Sequence, residues 1–195
     1  MDEVKGGTMT LGEGGPPRGA KVPGKSRLMI RQVVASLRAY LGESDARVDV
    51  ARLIEHKLFE HFGVILAVKD ASVLGADQGR SYPDKLLIEL RDDVYDALIL
   101  GHPVARYTAL HEVGHLFIHQ GVPLRRTSGP ATHRHFEDSE WQANTFASEF
   151  LMPVEHILHL YPRTAALVSA RFNVSLSAAL VRLNVLKNEG LFMKK

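Results

Sequence analysis

Residues 111–115 read His-Glu-Val-Gly-His, and this H-E-x-x-H motif constrains the chain more than any other segment. Two histidines four positions apart lie on the same side of an α-helix, about one turn apart along its axis. Their imidazoles can bind one Zn²⁺, while Glu112 lies beside the metal and can take a proton from bound water. The motif therefore predicts a helix with part of a zinc site, the alternative being two solvated histidines on a surface helix.

The composition limits the kinds of protein that can carry this motif. With 195 residues, 45% of them apolar and 24% charged, the chain suits one globular domain with a small appendage. A net charge of +2 is too small to indicate a nucleic-acid partner. Cysteine is absent, so any metal must use histidine and carboxylate ligands. We find no signal-peptide core and no run of membrane-spanning length, and we expect a cytoplasmic protein without a membrane partner.

The chain divides into three parts by composition. Residues 1–26 contain seven glycines and three prolines, and we expect a disordered N-terminal tail there. Apolar periodicity begins at residue 27, and residues 27–153 form the predicted core that contains the motif. Residues 154–195 indicate two or three short helices, which we expect to form a C-terminal extension packed on the core.

Within the core, the apolar spacing predicts four helices and at least two strands. The helices are predicted at residues 27–42, 49–63, 104–119 and 139–152, and the strands at residues 64–68 and 86–90. The stretch between the strands is rich in turn residues and leaves room for one more short strand. Ser139 and Gln142 have capping-box spacing, which predicts Ser139 as the N-cap of the last of these helices.

A catalytic zinc usually has three protein ligands and an open position, so the motif needs a further ligand from elsewhere in the chain. A metzincin would have a histidine at position 121, but this residue is Gly121, so the metzincin class is excluded. His119 lies four residues beyond His115, yet three successive turns of one straight helix diverge from a single point. We expect His119 to stabilise the C-terminal end of the helix as a cation instead.

Glu140 is the best candidate for the third ligand. It follows His115 by 25 residues, which is enough for a loop and a returning helix. Asn144 lies one turn later on the same face, where it can accept a hydrogen bond from a ligating imidazole and fix its tautomer. Glu137 and Asp138 are competing carboxylates. The alternative for Glu140 is an acid that only stabilises a helix N-terminus.

The two motif segments together resemble the ImmA/IrrE family of bacterial and phage metallopeptidases. The first segment is residues 106–119, RYTALHEVGHLFIH. The second is residues 140–153, EWQANTFASEFLMP, which is similar to the family pattern E-x-x-A-N-x-F-A followed by L-L-M-P. The likeness is specific because both halves occur, and its one small departure is Phe150, where the family often has leucine.

This resemblance implies a fold, a site and a substrate class. The fold is α+β, a zincin-like metallopeptidase domain with a small mixed sheet packed on the H-E-x-x-H helix and a C-terminal helical hairpin. The site is one Zn²⁺ ion held by His111, His115 and Glu140, with Glu112 as the catalytic residue. The substrate class is helix-turn-helix (XRE-type) repressors of phage, mobile-element or stress-response regulation, some of which pair with a family member in a toxin–antitoxin-like arrangement.

A peptidase also needs a group that stabilises the oxyanion and a surface that holds the substrate. His133, His135 and Tyr107 are the candidates for the first role, although the two histidines also fit an exposed loop. The strand at residues 86–90 fits either a sheet edge that binds substrate by strand addition or an ordinary core strand.

A different interpretation comes from residues 167–183, which resemble a helix-turn-helix with its turn at residues 172–175. The protein would then be a DNA-binding or partner-binding transcriptional regulator, or a toxin–antitoxin component, in which zinc is mainly structural. Arg182 and Asn184 are the main polar side chains of its second helix, and the near-neutral net charge disfavours strong phosphate binding. A helical hairpin packed on the core is the simpler prediction.

Overall fold

The structure is a computed structural model and describes residues 19–122 and 133–192. In chain order its elements are α1 (Arg27–Tyr40), α2 (Val50–Arg52), a π-helical turn (Leu53–Lys57), α3 (Leu58–Phe62), β1 (Ile65–Lys69), α4 (Ala71–Leu74), β2 (Gly79–Tyr82), β3 (Leu87–Arg91), α5 (Asp92–Ile99), α6 (Pro103–Ile118), α7 (Ser139–Leu151), α8 (Val154–Leu158), α9 (Ala165–Phe172) and α10 (Leu176–Asn188). Short 3-10 turns, Pro83–Lys85 and His135–Glu137, precede β3 and α7.

The sheet has the order β1-β3-β2, with β3 parallel to β1 and antiparallel to β2. Strand β3 is central, and its Ile88 and Leu90 are fully buried. Residues 86–90 are therefore a core strand, and the prediction of a substrate-binding edge there is wrong. Strand β2 lies at one edge of the sheet. It comes from the turn-rich stretch between the two predicted strands, and it packs on α6. The predicted α+β fold, with a small mixed sheet against the motif helix, is confirmed.

Helix α6 carries the H-E-x-x-H motif and is covered on nearly all sides. Thirteen of its 16 residues are buried, and it contacts α2, α5, α7, β2 and β3. Buried polar groups are costly unless they are hydrogen-bonded, so the histidines and the glutamate of the motif need partners inside the protein. Because α6 is buried, the side chains packed around the motif have to supply these hydrogen-bond partners.

The start of α7 is fixed by Asp138, whose carboxylate accepts the backbone N–H of Trp141 at 2.9 Å. This carboxylate satisfies one of the free N–H groups of the first turn. The prediction of Ser139 as the N-cap is wrong, because Ser139 is already helical. The Ser139 hydroxyl instead accepts the N–H of Ala20 at 3.0 Å.

Residues 19–25, called the N-terminal strap below, lie along the start of α7. Three backbone hydrogen bonds of 2.8 to 3.0 Å join the strap to residues 136–139. The expectation of a disordered tail through residue 26 is therefore wrong for residues 19–26, because their backbone groups are paired with the core. Residues 1–18 lie outside the described residues.

Helices α9 and α10 form a helical hairpin with an angle of 115° between them. Asn173, in the left-handed conformation with φ 51°, lies at the turn. Val168 and Phe172 are fully buried in the hydrophobic core. Arg182 of α10 donates two hydrogen bonds of 2.6 Å to Glu149 of α7. The hairpin is thus held on the core by apolar packing and a buried ion pair.

No single helix among the described residues is long and apolar enough to span a membrane. Helices α9 and α10 meet the length and composition requirements only together, as a bent pair.

Candidate metal centre

Helices α6 and α7 cross closely at Gly114, which lacks a side chain. A β-carbon at this position would lie 3.1 Å from the Phe146 β-carbon and 3.2 Å from the Ala143 carbonyl oxygen. The glycine therefore lets the two helix backbones approach each other. Glu140 lies three residues before Ala143, so this crossing brings its carboxylate to the histidines of α6.

Three side chains converge at this crossing. His111 Nε2 lies 3.0 Å from His115 Nε2 and 3.2 Å from Glu140 Oε2. His115 Nε2 lies 3.5 Å from Glu140 Oε1. Both imidazoles are buried, whereas the carboxylate is partly exposed. The three residues that the sequence nominates as metal ligands are thus brought into one cluster.

The spacing of these atoms fits a tetrahedral metal site. Ligand bonds of about 2.0 to 2.1 Å place neighbouring ligand atoms about 3.3 to 3.4 Å apart in tetrahedral geometry. The nitrogen–nitrogen separation of 3.0 Å and the nitrogen–oxygen separations of 3.2 Å to Glu140 Oε2 and 3.5 Å to Glu140 Oε1 lie around this value. Two imidazole nitrogens and a carboxylate are also a donor set that catalytic zinc uses, with the fourth position left open. The residues present therefore fit a zinc ion.

The charges of the cluster favour a bound cation. Burial by itself raises the pKa of Glu140, but hydrogen bonds and charges from His111 and His115 hold it far below its usual value. Burial lowers the pKa of His111, but the hydrogen bond to Glu140 and the charges of Glu112 and Glu140 outweigh burial and raise it. An ionised carboxylate beside two basic nitrogens attracts either a proton or a metal ion.

Asn144 lies against the first of the two imidazoles. His111 Nδ1 is 3.0 Å from Asn144 Oδ1. Because an amide oxygen only accepts, His111 donates its Nδ1–H and keeps the Nε2 lone pair directed at the cluster. The structure therefore brings these two side chains together.

His119 lies behind the other imidazole and is fully buried. Its Nδ1 is 3.0 Å from His115 Nδ1, and its Nε2 is 3.1 Å from Gln142 Oε1. Burial, together with the charge of His115, lowers the pKa of His119 to about 4. The prediction of a cation at the end of α6 is therefore wrong, because His119 is a neutral member of a buried hydrogen-bond network.

The cluster opens into a cleft of about 250 Å³. Glu112 lines this cleft beside the three ligands and is only 8% exposed. Strand β2 contributes Arg80, Ser81 and Tyr82 to the lining, and the N-terminal strap contributes Ala20. Sequence reasoning missed these four residues, because a turn-rich stretch and a polar tail carry no signal that they pack beside a metal site.

The three residues proposed as oxyanion donors do not line the cleft. Tyr107 is buried, which raises the pKa of its hydroxyl. This hydroxyl donates a hydrogen bond of 2.8 Å to the backbone carbonyl oxygen of Asn144. His133 Nε2 lies 2.9 Å from Asp138 Oδ2. The ring of His135 packs edge-on against neighbouring aromatic rings. Each of these side chains therefore has a partner away from the ligand cluster.

The competing carboxylates also have other partners. Asp138 caps α7 and accepts the Gly19 N–H at 2.8 Å. Glu137 accepts the backbone N–H of Arg134 at 3.1 Å. Glu140 is thus the carboxylate that joins the two histidines in the described part of the chain.

Comparison with known proteins bears on the part of the chain that carries the motif. Residues 101–184 match the model of the IrrE N-terminal-like domain, peptidase family M78. No curated protein matches the chain. One similar solved structure is a Mycobacterium tuberculosis transcriptional regulator, with a TM-score of 0.46 and 14% identity over 79% of this chain. The chain covers 46% of that protein, less than half of its length. Residues 101–184 are therefore similar to the IrrE N-terminal-like domain, and this match confirms the predicted resemblance to the ImmA/IrrE family over these residues.

Proposed function

We propose that the protein is a zinc-dependent metalloendopeptidase that hydrolyses peptide bonds at the cluster of His111, His115 and Glu140. The observation that carries this proposal is the convergence of three ligand side chains in one cleft with the buried Glu112: the two imidazole nitrogens are 3.0 Å apart, and each lies 3.2 or 3.5 Å from a Glu140 carboxylate oxygen. Structural zinc sites are closed by four protein ligands, whereas catalytic sites have three and an accessible position. Three ligands beside a cleft therefore favour catalysis, and the peptidase family of residues 101–184 supports the same reaction.

Zinc is the proposed metal because of the donor set. His111 and His115 offer Nε2 lone pairs, and Glu140 offers an ionised carboxylate oxygen. When bound, a zinc ion polarises a peptide carbonyl and acidifies water. Asn144 supports the site by accepting the Nδ1–H of His111, which orients that imidazole.

Glu112 is the proposed general base and acid. It follows His111 directly in the chain, and its carboxylate lines the same cleft without joining the ligand triangle. In this role it accepts the proton of the attacking water and delivers it to the leaving amine. Its charge already acts on the cluster, because it helps to raise the pKa of His111.

A helix-turn-helix (XRE-type) repressor of phage, mobile-element or stress-response regulation is the proposed substrate. The likeness of residues 106–119 and 140–153 to the ImmA/IrrE family supports this choice. Strand β2 supports the binding of an extended segment, because within the described sheet it pairs with β3 on one side and lines the cleft. A substrate segment in the β conformation can add to such a strand.

The regulator interpretation is less well supported by the geometry of the α9–α10 hairpin. Arg182, one of the two polar side chains proposed to reach DNA, is 1% exposed and paired with Glu149. A side chain held in a buried ion pair cannot contact a base edge in the major groove. Of these two residues, only Asn184 is exposed. The hairpin therefore fits a packing role on the core.

The proposal is tested by incubating the zinc-loaded protein with the helix-turn-helix repressor encoded beside its gene and detecting fragments by mass spectrometry. We expect cleavage that stops with a chelator and returns when zinc is added. The matched control is Glu112→Gln, which keeps the ligands and should slow cleavage by a factor of about 10² or more. Cleavage by Glu112→Gln at the wild-type rate would contradict the assigned role, and an intact repressor with zinc-loaded wild-type protein would contradict the substrate.

A further inference from the structure

We propose that His119 and Gln142 are positioning residues that hold the His115 imidazole in its metal-binding tautomer, and that the N-terminal strap anchors them. This inference rests on the metal site of the proposed function. It does not depend on which peptide bond is cut. The residues concerned form one chain of contacts, from His115 through His119 and Gln142 to the backbone carbonyl of Pro23.

The orientation of the Gln142 amide is fixed first. Its Nε2 lies 2.9 Å from the carbonyl oxygen of Pro23 and 2.8 Å from that of Phe136. Carbonyl oxygens only accept hydrogen bonds, so the NH₂ group has to face them and use both of its protons. The side chain is fully buried, so an NH₂ proton without a partner would be costly. Gln142 Oε1 must therefore face His119.

The amide orientation then determines the proton on His119. Gln142 Oε1 only accepts, and it lies 3.1 Å from His119 Nε2, so this nitrogen carries the proton. A fully buried imidazole whose hydrogen-bond partners are an amide oxygen and another imidazole has no carboxylate to balance a positive charge, so it is neutral and its other nitrogen is an acceptor. His119 Nδ1 is therefore a bare acceptor, and it lies 3.0 Å from His115 Nδ1.

The last step sets the tautomer of His115. Because His119 Nδ1 accepts, His115 has to donate from its Nδ1, which leaves the Nε2 lone pair free. This Nε2 lies 3.0 Å from His111 Nε2 and 3.5 Å from Glu140 Oε1, where the metal ligands converge. His111 reaches the same tautomer through the single contact with Asn144, whereas His115 needs two intermediate side chains.

The strap completes this network from a distant part of the sequence. Pro23 belongs to the strap, and Phe136 belongs to the 3-10 turn before α7. The Gln142 amide thus donates one hydrogen bond to Pro23, a residue 119 positions away in the chain. Removing the side chain that accepts a hydrogen bond from a ligating histidine typically lowers metal affinity by a factor of about 10 to 100.

Two substitutions of Gln142 separate positioning from packing. Gln142→Leu and Gln142→Glu both remove the NH₂ group that binds Pro23 and Phe136, so both should destabilise the fold. Only the glutamate keeps an oxygen that accepts the His119 Nε2–H. We therefore expect zinc affinity, measured by competition with a chromophoric chelator, to fall about 10- to 100-fold in Gln142→Leu and to stay within about threefold of wild type in Gln142→Glu. Equal losses in the two variants would overturn the proposal.

Two further measurements complete the test: a control substitution on α6, and direct detection of the nitrogen of His119 that carries the proton. Thr108→Val removes a part-buried hydrogen bond of 3.1 Å to Gln78, which is not part of the chain of contacts from His115 to Pro23, and should leave zinc affinity unchanged. Nitrogen-detected NMR of zinc-loaded wild-type protein should show His119 protonated on Nε2. Protonation on Nδ1 would overturn the proposal even if the Gln142 variants fail to fold. Because neither readout uses proteolysis, a protein that binds zinc but cleaves no repressor would contradict the proposed function alone.

Discussion

Gly79 of β2 lies directly against the side chain of Glu112. A β-carbon on Gly79 would stand 2.9 Å from Glu112 Cγ and 3.3 Å from its carboxylate carbon. Real β-carbons essentially never approach another carbon that closely. Because residue 79 is glycine, the edge strand β2 can pack directly against the proposed catalytic carboxylate. The wall of the cleft therefore contacts the side chain that is proposed to react.

Gly79→Ala should consequently displace the Glu112 carboxylate while leaving the three ligands in place. Misplacement of a reacting group by about 1 Å can cost on the order of 10²-fold in rate. We expect repressor cleavage to slow about 10- to 100-fold, with zinc affinity within about threefold of wild type. The two measurements are a timed cleavage assay and a chelator competition. If Gly79→Ala cleaved the repressor at the wild-type rate, the position of Glu112 would not depend on the close approach of β2.

Gly114→Ala tests the crossing of α6 and α7. In an open helix, replacing glycine by alanine stabilises by about 1 kcal/mol. Here the added methyl group would lie 3.2 Å from the Ala143 backbone, so the helices have to separate. We expect the free energy of unfolding to fall by about 1 to 3 kcal/mol and zinc affinity to fall with it, measured by urea unfolding and zinc titration. An increase in stability would contradict the close crossing.

Glu149→Gln tests how the C-terminal hairpin is held on the core. Arg182 and Glu149 are both buried, and breaking such a pair typically costs about 3 to 5 kcal/mol because one charge is left unpaired. The substitution should therefore lower the free energy of unfolding by about this amount in urea titrations. Glu155→Gln, a change of the same charge at an exposed position, should alter it by less than about 0.5 kcal/mol. A similar effect of both substitutions would contradict the buried pairing.

The same carboxylate predicts how stability depends on pH. Burial raises the pKa of Glu149, but Arg182 and Arg31 outweigh burial and hold this pKa below its ordinary value. A group whose pKa is depressed by folding stabilises the fold above its unfolded pKa, and this stabilisation is lost as pH falls through the folded pKa. Unfolding curves of wild type should therefore lose stability below about pH 4.5 more steeply than those of Glu149→Gln. Parallel curves for the two proteins would show that this carboxylate is not involved.

Local sequence signals were sufficient for the helices that build the site. Helix α6 is marked by its apolar residues and by Gly121 beyond its end, and α7 by the capping-box spacing of Ser139 and Gln142 and by the following Pro153. The spacing of Glu140 and Asn144 likewise places both on one face of α7. These features depend on residues close together in the chain, which is why the predicted bounds lie within two residues of those observed.

Features that depend on tertiary contacts could not be predicted in this way. Helix α5 has only eight residues, with Val94 and Leu98 as its buried stripe, too short a pattern to stand out. The strap has few apolar side chains and is held by backbone hydrogen bonds to residues 136–139. His119 is at the end of α6 in sequence, but the packing of Gln142 on it makes it neutral and buried.

The most direct test of the metal centre is the zinc content and affinity of Glu140→Gln compared with Glu137→Gln. Both substitutions remove one carboxylate charge near the start of α7, but only Glu140 lies within 3.2 to 3.5 Å of the two imidazole nitrogens. We predict that wild type and Glu137→Gln each bind one zinc ion per chain with similar affinity. Glu140→Gln should bind zinc at least about 10-fold more weakly, because an amide oxygen is a poorer ligand than an ionised carboxylate. Wild-type zinc affinity in Glu140→Gln, or its loss in Glu137→Gln, would contradict the assignment of the third ligand.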